Sequence, residues 1–116
     1  MPVSASPLRV TDAGGQTTVC FTGFPTLNED NAAAMGEALS ALIEGPGQPN
    51  LVLDLSAVGF LTSVALGKFI TFNGRVQARG GRLTLVNLRP TIRKVFSVSR
   101  LDRVLNIRET DEIQAA

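Results

Sequence analysis

The chain has 116 residues, 44% of them apolar and 18% charged, with a net charge of +1. That suits one domain with a core of its own and leaves no room for two ordinary ones. Histidine is absent and cysteine occurs once, which excludes Ser–His–Asp and Cys–His catalysis, histidine-ligated metals, thiolate clusters and an internal disulfide.

The opening MPVSASP has neither a basic start nor an apolar core, so no signal peptide is expected. No run of 18 apolar residues follows it, and the expectation is a soluble protein of the cytoplasm, with no membrane partner. LRVTD (8–12) and TTVCF (17–21) are short β-type runs around AGGQ, a hairpin signal. Cys20 lies in the second run and reads as a buried, inert thiol in a reducing compartment. GFPTLNEDN breaks the strand. NAAAMGEALSALI (31–43) then reads as an amphipathic helix with Ala34, Met35, Ala38 and Leu42 on its apolar side. Asn28 is its expected cap, and Glu29 and Asp30 suit the positive end of its dipole.

LVLDL (51–55) is a nearly unbroken apolar run between turn signals, the pattern of a strand buried on both faces. From Ser63 the period becomes helical, with Leu66, Phe69, Ile70, Asn73 and Val76 on neighbouring rows. Gly67 and Gly74 are seven apart and share a face, which suggests close packing against the sheet. ARGGR stops this helix. RLTLVNL (82–88) is a further strand. Pro90 opens a third helix with Ile92, Val95 and Phe96 as its stripe, and VLNI (104–107) is the last strand. Thr110 is placed to cap a short terminal helix.

The predicted order is β-β-α-β-α-β-α-β, with an optional final α. It describes an α/β domain over residues 1–116 with a mixed, mostly parallel sheet of about five strands and three to four helices. The ordered core is expected over about residues 8–108. Charge divides along the chain. Residues 1–58 carry one Arg and six acids, and residues 59–116 carry ten Lys and Arg and four acids. No aromatic residues interleave the basic ones and no helix-turn-helix pattern appears, so solvated faces explain them and no nucleic-acid partner is expected.

No GxxxxGK[ST] or GxGxxG loop occurs, and no cofactor is expected. Asp54 ends a buried strand, where α/β sheets bind ligands, but with no second carboxylate close in sequence it reads as a cap for the next turn. Ser63 opens a helix. A serine there accepts from a free backbone N–H, and spacing alone favours a plain cap. The same place suits a phosphorylated residue, because free N–H groups and the dipole stabilise a phosphate.

LVLDLSAVGFLTSVALGKFI resembles the central motif of the STAS domain family of bacterial anti-sigma factor antagonists, through Leu53, Asp54, Leu55, Ser56, Val58, Phe60, Ser63, Leu66 and Gly67. GGRLTLVNLRPTIRKVFSVSRLDRVLNI resembles the family's downstream pattern, so the likeness spans about residues 8–108. The resemblance implies a non-enzymatic protein-binding module that controls transcription indirectly by partner switching. Its implied partners are a kinase anti-sigma factor of the histidine-kinase-like ATPase fold and a metal-dependent serine phosphatase. It places the regulatory phosphate on Ser63, with Thr62 a distant second. The implied partner surface is Thr26, Asn28, Thr62, Ser63, Val64 and Leu66. The chain departs from the family's pattern at three places in the motif, with Thr62 for Asp, Val64 for Ser or Thr, and Ala65 for Gly. The family's upstream GELD loop reads Gly23-Phe24-Pro25-Thr26 and lacks its acid. The departures at Thr62, Val64 and Ala65 favour the alternative of a non-phosphorylated STAS scaffold in a larger signalling assembly; the other alternative is a small-ligand or nucleotide-sensing domain using Asp54 and the strand-end crevice, with no further constellation behind it.

Overall fold

The computed structural model describes residues 8–21, 25–44 and 47–108. Strands β1 (Arg9–Ala13) and β2 (Gln16–Cys20) form the expected hairpin. Gly14 and Gly15 turn it at φ +60° and +80°. Two consecutive positive φ values make the tight turn that matches strand twist, and glycine adopts them without strain. After β3 (Thr26–Leu27), helix α1 runs from Glu29 to Leu42. β4 (Asn50–Asp54), β5 (Phe60–Leu61) and α2 (Ser63–Ala78) follow. β6 (Arg82–Val86), α3 (Pro90–Val98), a 3-10 turn (Leu101–Arg103) and β7 (Asn106–Arg108) complete the order.

The main sheet has the order β1-β2-β4-β6-β7. Only β1 pairs antiparallel, so the sheet is mixed and mostly parallel, as the element order requires. Side chains alternate between its faces. Val19, Leu51, Leu53, Leu83 and Leu85 point to one face and share a core with Met35 and Leu39 of α1, Phe69 and Val76 of α2, and Ile92 and Phe96 of α3. The three α-helices of the described residues therefore cover the same side. The Phe21 and Phe69 rings meet there at 6.0 Å, tilted by 57°. The other face is built from the alternate residues and mixes polar side chains with the buried Val52 and Val86. One row across it reads Arg9, Cys20, Asp54, Val86, Arg108, and the next reads Thr11, Thr18, Val52, Thr84, Asn106.

Helix α1 starts two residues earlier than the periodicity suggests, because Asn28 and Asn31 form a reciprocal capping box. Its buried stripe is Ala32, Met35 and Leu39, while Ala34 is exposed. On α2 the buried residues are Ala65, Phe69, Phe72, Asn73 and Val76, and Ile70 faces out at 38% exposure. Gly67 and Gly74 do not pack against the sheet. Both are exposed, and a Cβ on either meets nothing within 4 Å. The glycine that close packing demands is Gly81, where a Cβ would lie 1.9 Å from the Pro49 carbonyl oxygen. On α3, Pro90 occupies the first turn as expected, and Ile92 and Phe96 are buried while Val95 is exposed. The last strand begins at Asn106, since the 3-10 turn takes up the residues before it and leaves Val104 52% exposed. The terminal helix expected after Thr110 lies outside the described residues.

Candidate functional site

Strand β3 pairs in parallel with β5, Thr26 opposite Phe60 and Leu27 opposite Leu61. This two-stranded sheet is too short to leave a periodic trace in the sequence. Its consequence is large, because each strand runs directly into a helix. Asn28 caps α1 and Thr62 caps α2, so the two helix N-termini stand side by side. Backbone bonds reinforce the junction: Gly59 donates to the Pro25 carbonyl at 2.8 Å and Thr62 donates to the Leu27 carbonyl at 2.9 Å. The Asn28 carboxamide oxygen accepts from Asp30 N–H at 2.9 Å and Asn31 N–H at 3.3 Å. Asn31 returns a bond from its own carboxamide nitrogen to the Thr26 carbonyl at 2.7 Å. Thr26, Asn28 and Thr62 are thus held together, each half-buried.

Thr62, and not Ser63, is the cap of α2. Its hydroxyl accepts from Ala65 N–H at 3.5 Å, and its carbonyl takes the first helical bond, from Leu66 at 3.0 Å. The extended backbone at Thr62 (φ −97°, ψ 170°) puts its oxygen over the free N–H groups. Ser63 is the first helical residue, one step past the position that capping uses. It is exposed, and the first turn of α2 contains no acid. Val64 is 41% exposed, while Leu66 is half-buried against the core. Phe60, three residues before Ser63, is 59% exposed although its run in the sequence is apolar. Composition gave no reason to single it out. The signal lay in alternation, since Leu61 on the same two-residue strand is buried. Gly23 and Phe24 of the upstream loop lie outside the described residues.

Asp54 behaves as the turn cap expected of it. Its Oδ1 accepts from Ser56 N–H at 2.9 Å and its Oδ2 from the Asn87 carboxamide nitrogen at 3.2 Å. The Cys20 Sγ lies 4.0 Å from the same Oδ2, and the thiol is half-buried, not fully buried. Burial pushes the Cys20 thiol up from its ordinary pKa, the charge of Asp54 adds to this, and Arg9 opposes it. Arg89 donates from Nε to the Ser56 carbonyl at 2.9 Å and pins the segment between β4 and β5. No helix among the described residues is long and apolar enough to cross a membrane.

A five-stranded, mostly parallel sheet with helices on one side, and an exposed serine at the first turn after its central strand and a short clasp, defines a STAS-type α/β domain. Residues 11–108 match the family model described as Mlab, STAS domain, and the chain belongs to the STAS domain family. It is 26% identical over 102 residues to BtrV of Bordetella bronchiseptica, described as a candidate anti-sigma factor antagonist, over 88% of this chain and 85% of that protein. It is similar to the structure of an anti-sigma-factor antagonist (STAS) domain protein from Planctomyces limnophilus, with a TM-score of 0.80 and 23% identity over 89% of this chain and 90% of the other. It is also similar to the Bacillus cell fate determinant SpoIIAA solved in its phosphorylated form, with a TM-score of 0.66 and 20% identity over 93% of this chain and 96% of the other. At these identities the two structures speak for the fold.

Proposed function

We propose that this STAS domain is a protein-binding module of the anti-sigma factor antagonist kind, switched by phosphorylation of Ser63. Its partners would be a kinase anti-sigma factor and a serine phosphatase. The carrying observation is the exposure of Ser63 at the first position of α2, next to a different residue that does the capping. A kinase reaching Ser63 would find a hydroxyl that the helix does not need. The names of BtrV and of the Planctomyces protein support the binding role, and the phosphorylated form of SpoIIAA supports a covalent switch on this fold.

Mechanistically, the partner surface would be Thr26, Asn28, Thr62, Ser63, Val64 and Leu66, with Phe60 added as an apolar anchor. A phosphate brings about two negative charges and three acceptor oxygens. The α2 dipole and the acid-free first turn tolerate it in the free protein. Against a partner that covers Val64 and Phe60, the same charge would have to be desolvated, and the complex would open. The test is incubation with a cognate kinase and ATP, followed by intact-mass analysis. One phosphate on the wild type and none on Ser63→Ala is expected. Equal incorporation in both sinks the site assignment.

The second reading is a STAS scaffold that binds without phosphorylation. It is favoured by Val64, an exposed apolar side chain at 41%, where the family's pattern has a hydroxyl. Partner binding that is unchanged by Ser63→Asp would select it.

A further inference from the structure

We propose that the outer face of α1 and α2 is an interface for a second copy of this chain, which pairs with the first about a two-fold axis running along the helices. The two helices lie parallel: their caps stand side by side, and further down Arg75 of α2 donates to the Ser40 hydroxyl of α1. Between them runs an open groove of about 430 Å³. Glu37 and Glu44 edge it on the α1 side, and Lys68 and Arg75 on the α2 side. All four are exposed. Among the described residues none of the four forms an ion pair, and the one side-chain bond any of them makes is that of Arg75 to Ser40. The groove thus has one acidic and one basic wall whose charges are left unmatched.

The charge pattern is self-complementary. Glu37 and Glu44 are seven residues apart, and so are Lys68 and Arg75. Seven residues make about two helical turns, or about 10 Å. Counted from the caps Asn28 and Thr62, each acid lies three residues further along than its base, a step of about 4.5 Å. A long side chain spans that step. Rotation about an axis parallel to the helices keeps every residue at its own level and exchanges left for right. It therefore brings α1 of each copy onto α2 of the other, Glu37 to Lys68 and Glu44 to Arg75, and symmetry doubles each pair. A face of one charge could not pair with itself in this way. Val64 heads the same stripe of α2 as Lys68, Thr71 and Arg75, and adds apolar area at 41% exposure. Helix α1 has 14 residues and is about 21 Å long, and two helices are about 20 Å wide, so the face offers roughly 400 Å² per copy. That is the size of a weak contact, so the dimer forms with rising concentration and is sensitive to salt. The same rotation sets the Ser63 of both copies at one end of the dimer.

The test is sedimentation equilibrium of the full chain at low salt and at concentrations rising into the millimolar range. The mass is expected to climb from that of one chain toward that of two, and to fall back when salt is raised. Glu37→Lys and Lys68→Glu should each weaken the dimer roughly ten-fold, because each turns two attractive pairs into repulsive ones. Mixed in equal amounts, the two variants should associate as well as the wild type, since every facing pair is again opposite in sign. Circular dichroism of both variants checks that they fold. A single-chain mass throughout, a dimer left intact in folded Glu37→Lys and Lys68→Glu chains, or a mixture no tighter than either variant alone overturns the proposal. Charges that matched only within one chain would give that last result. No arm uses a kinase or alters Ser63, so failure of the phosphorylation reading leaves this result unaffected.

Discussion

Thr62 donates its backbone N–H to the Leu27 carbonyl at 2.9 Å, and this bond ties the start of α2 to the start of α1. Thr62 is thereby committed to structure on both sides, as clasp and as cap. Ser63 beside it is left exposed. Two neighbouring hydroxyls hold different jobs, and substitutions separate them.

The first prediction concerns stability. Thr62→Ala should destabilise the chain by about 1 kcal/mol through loss of the cap, and the 3.5 Å length of that bond places the effect at the modest end. Thr62→Asp should stabilise it, since Asp caps better than Thr and its charge suits the helix dipole. Ser63→Ala should stay within about 0.5 kcal/mol of wild type, as exposed surface changes do. Urea titrations of the three variants decide this. A larger loss for Ser63→Ala than for Thr62→Ala would return the cap to Ser63.

The second prediction separates the function from the fold. Ser63→Asp should leave the melting temperature nearly unchanged while reducing affinity for a kinase-fold partner at least ten-fold. Phe60→Ala should also weaken the complex, because an aromatic side chain 59% exposed in the free protein has area to bury in a bound one. Calorimetric titration measures both. Undiminished binding by Phe60→Ala would exclude that ring from the partner surface.

The third prediction contrasts three glycines. Gly67→Ala and Gly74→Ala should each raise stability by up to about 1 kcal/mol, since a methyl group there meets open space and Ala is the better helix former. Gly81→Ala should be strongly destabilising, because its Cβ overlaps the Pro49 carbonyl that also accepts from Arg82 N–H at 2.9 Å. Thermal melts of the three variants suffice, and a stabilised Gly81→Ala would show that the Pro49 turn can move aside.

The fourth prediction is a pH dependence. A thiol whose pKa is raised in the fold keeps its proton longer there than in the unfolded chain. Its stability contribution is therefore complete below the ordinary thiol value, near 8.5, and is lost as pH rises through the folded value. Iodoacetamide should label native Cys20 more slowly than the unfolded chain at a given pH. Asp54→Asn should speed labelling by removing the second cause of the shift. Identical stability profiles for wild type and Cys20→Ser across that alkaline range would dismiss the effect.

Much of this fold was legible in the sequence because its signals are local. The two glycines of AGGQ, the apolar run LVLDL and Pro90 each act within a few residues, and each element they mark is present. What escaped was whatever depends on partners distant in the chain. The β3–β5 pair is two residues long on each side and exists through contacts between residues some 34 apart in register. The cap of α2 was displaced by one residue for the same reason: the Leu27 carbonyl fixes Thr62 in extended backbone and starts the helix after it. Gly67 and Gly74 share a face, as their spacing says, but spacing does not say whether that face looks at the sheet or at solvent. Asp54 was read correctly because its bond to Ser56 is local, whereas its bond to Asn87 was not visible.

Putting the three α-helices of the described residues on one side of the sheet also makes the domain thin. It measures 35 × 35 × 26 Å, and the short dimension is close to that of two layers. Proteins gripping its opposite sides would be separated by little more than that thickness. A plate of this kind can serve as a spacer that holds two other molecules at short range, and fluorophores on such a pair would lie well within energy-transfer distance.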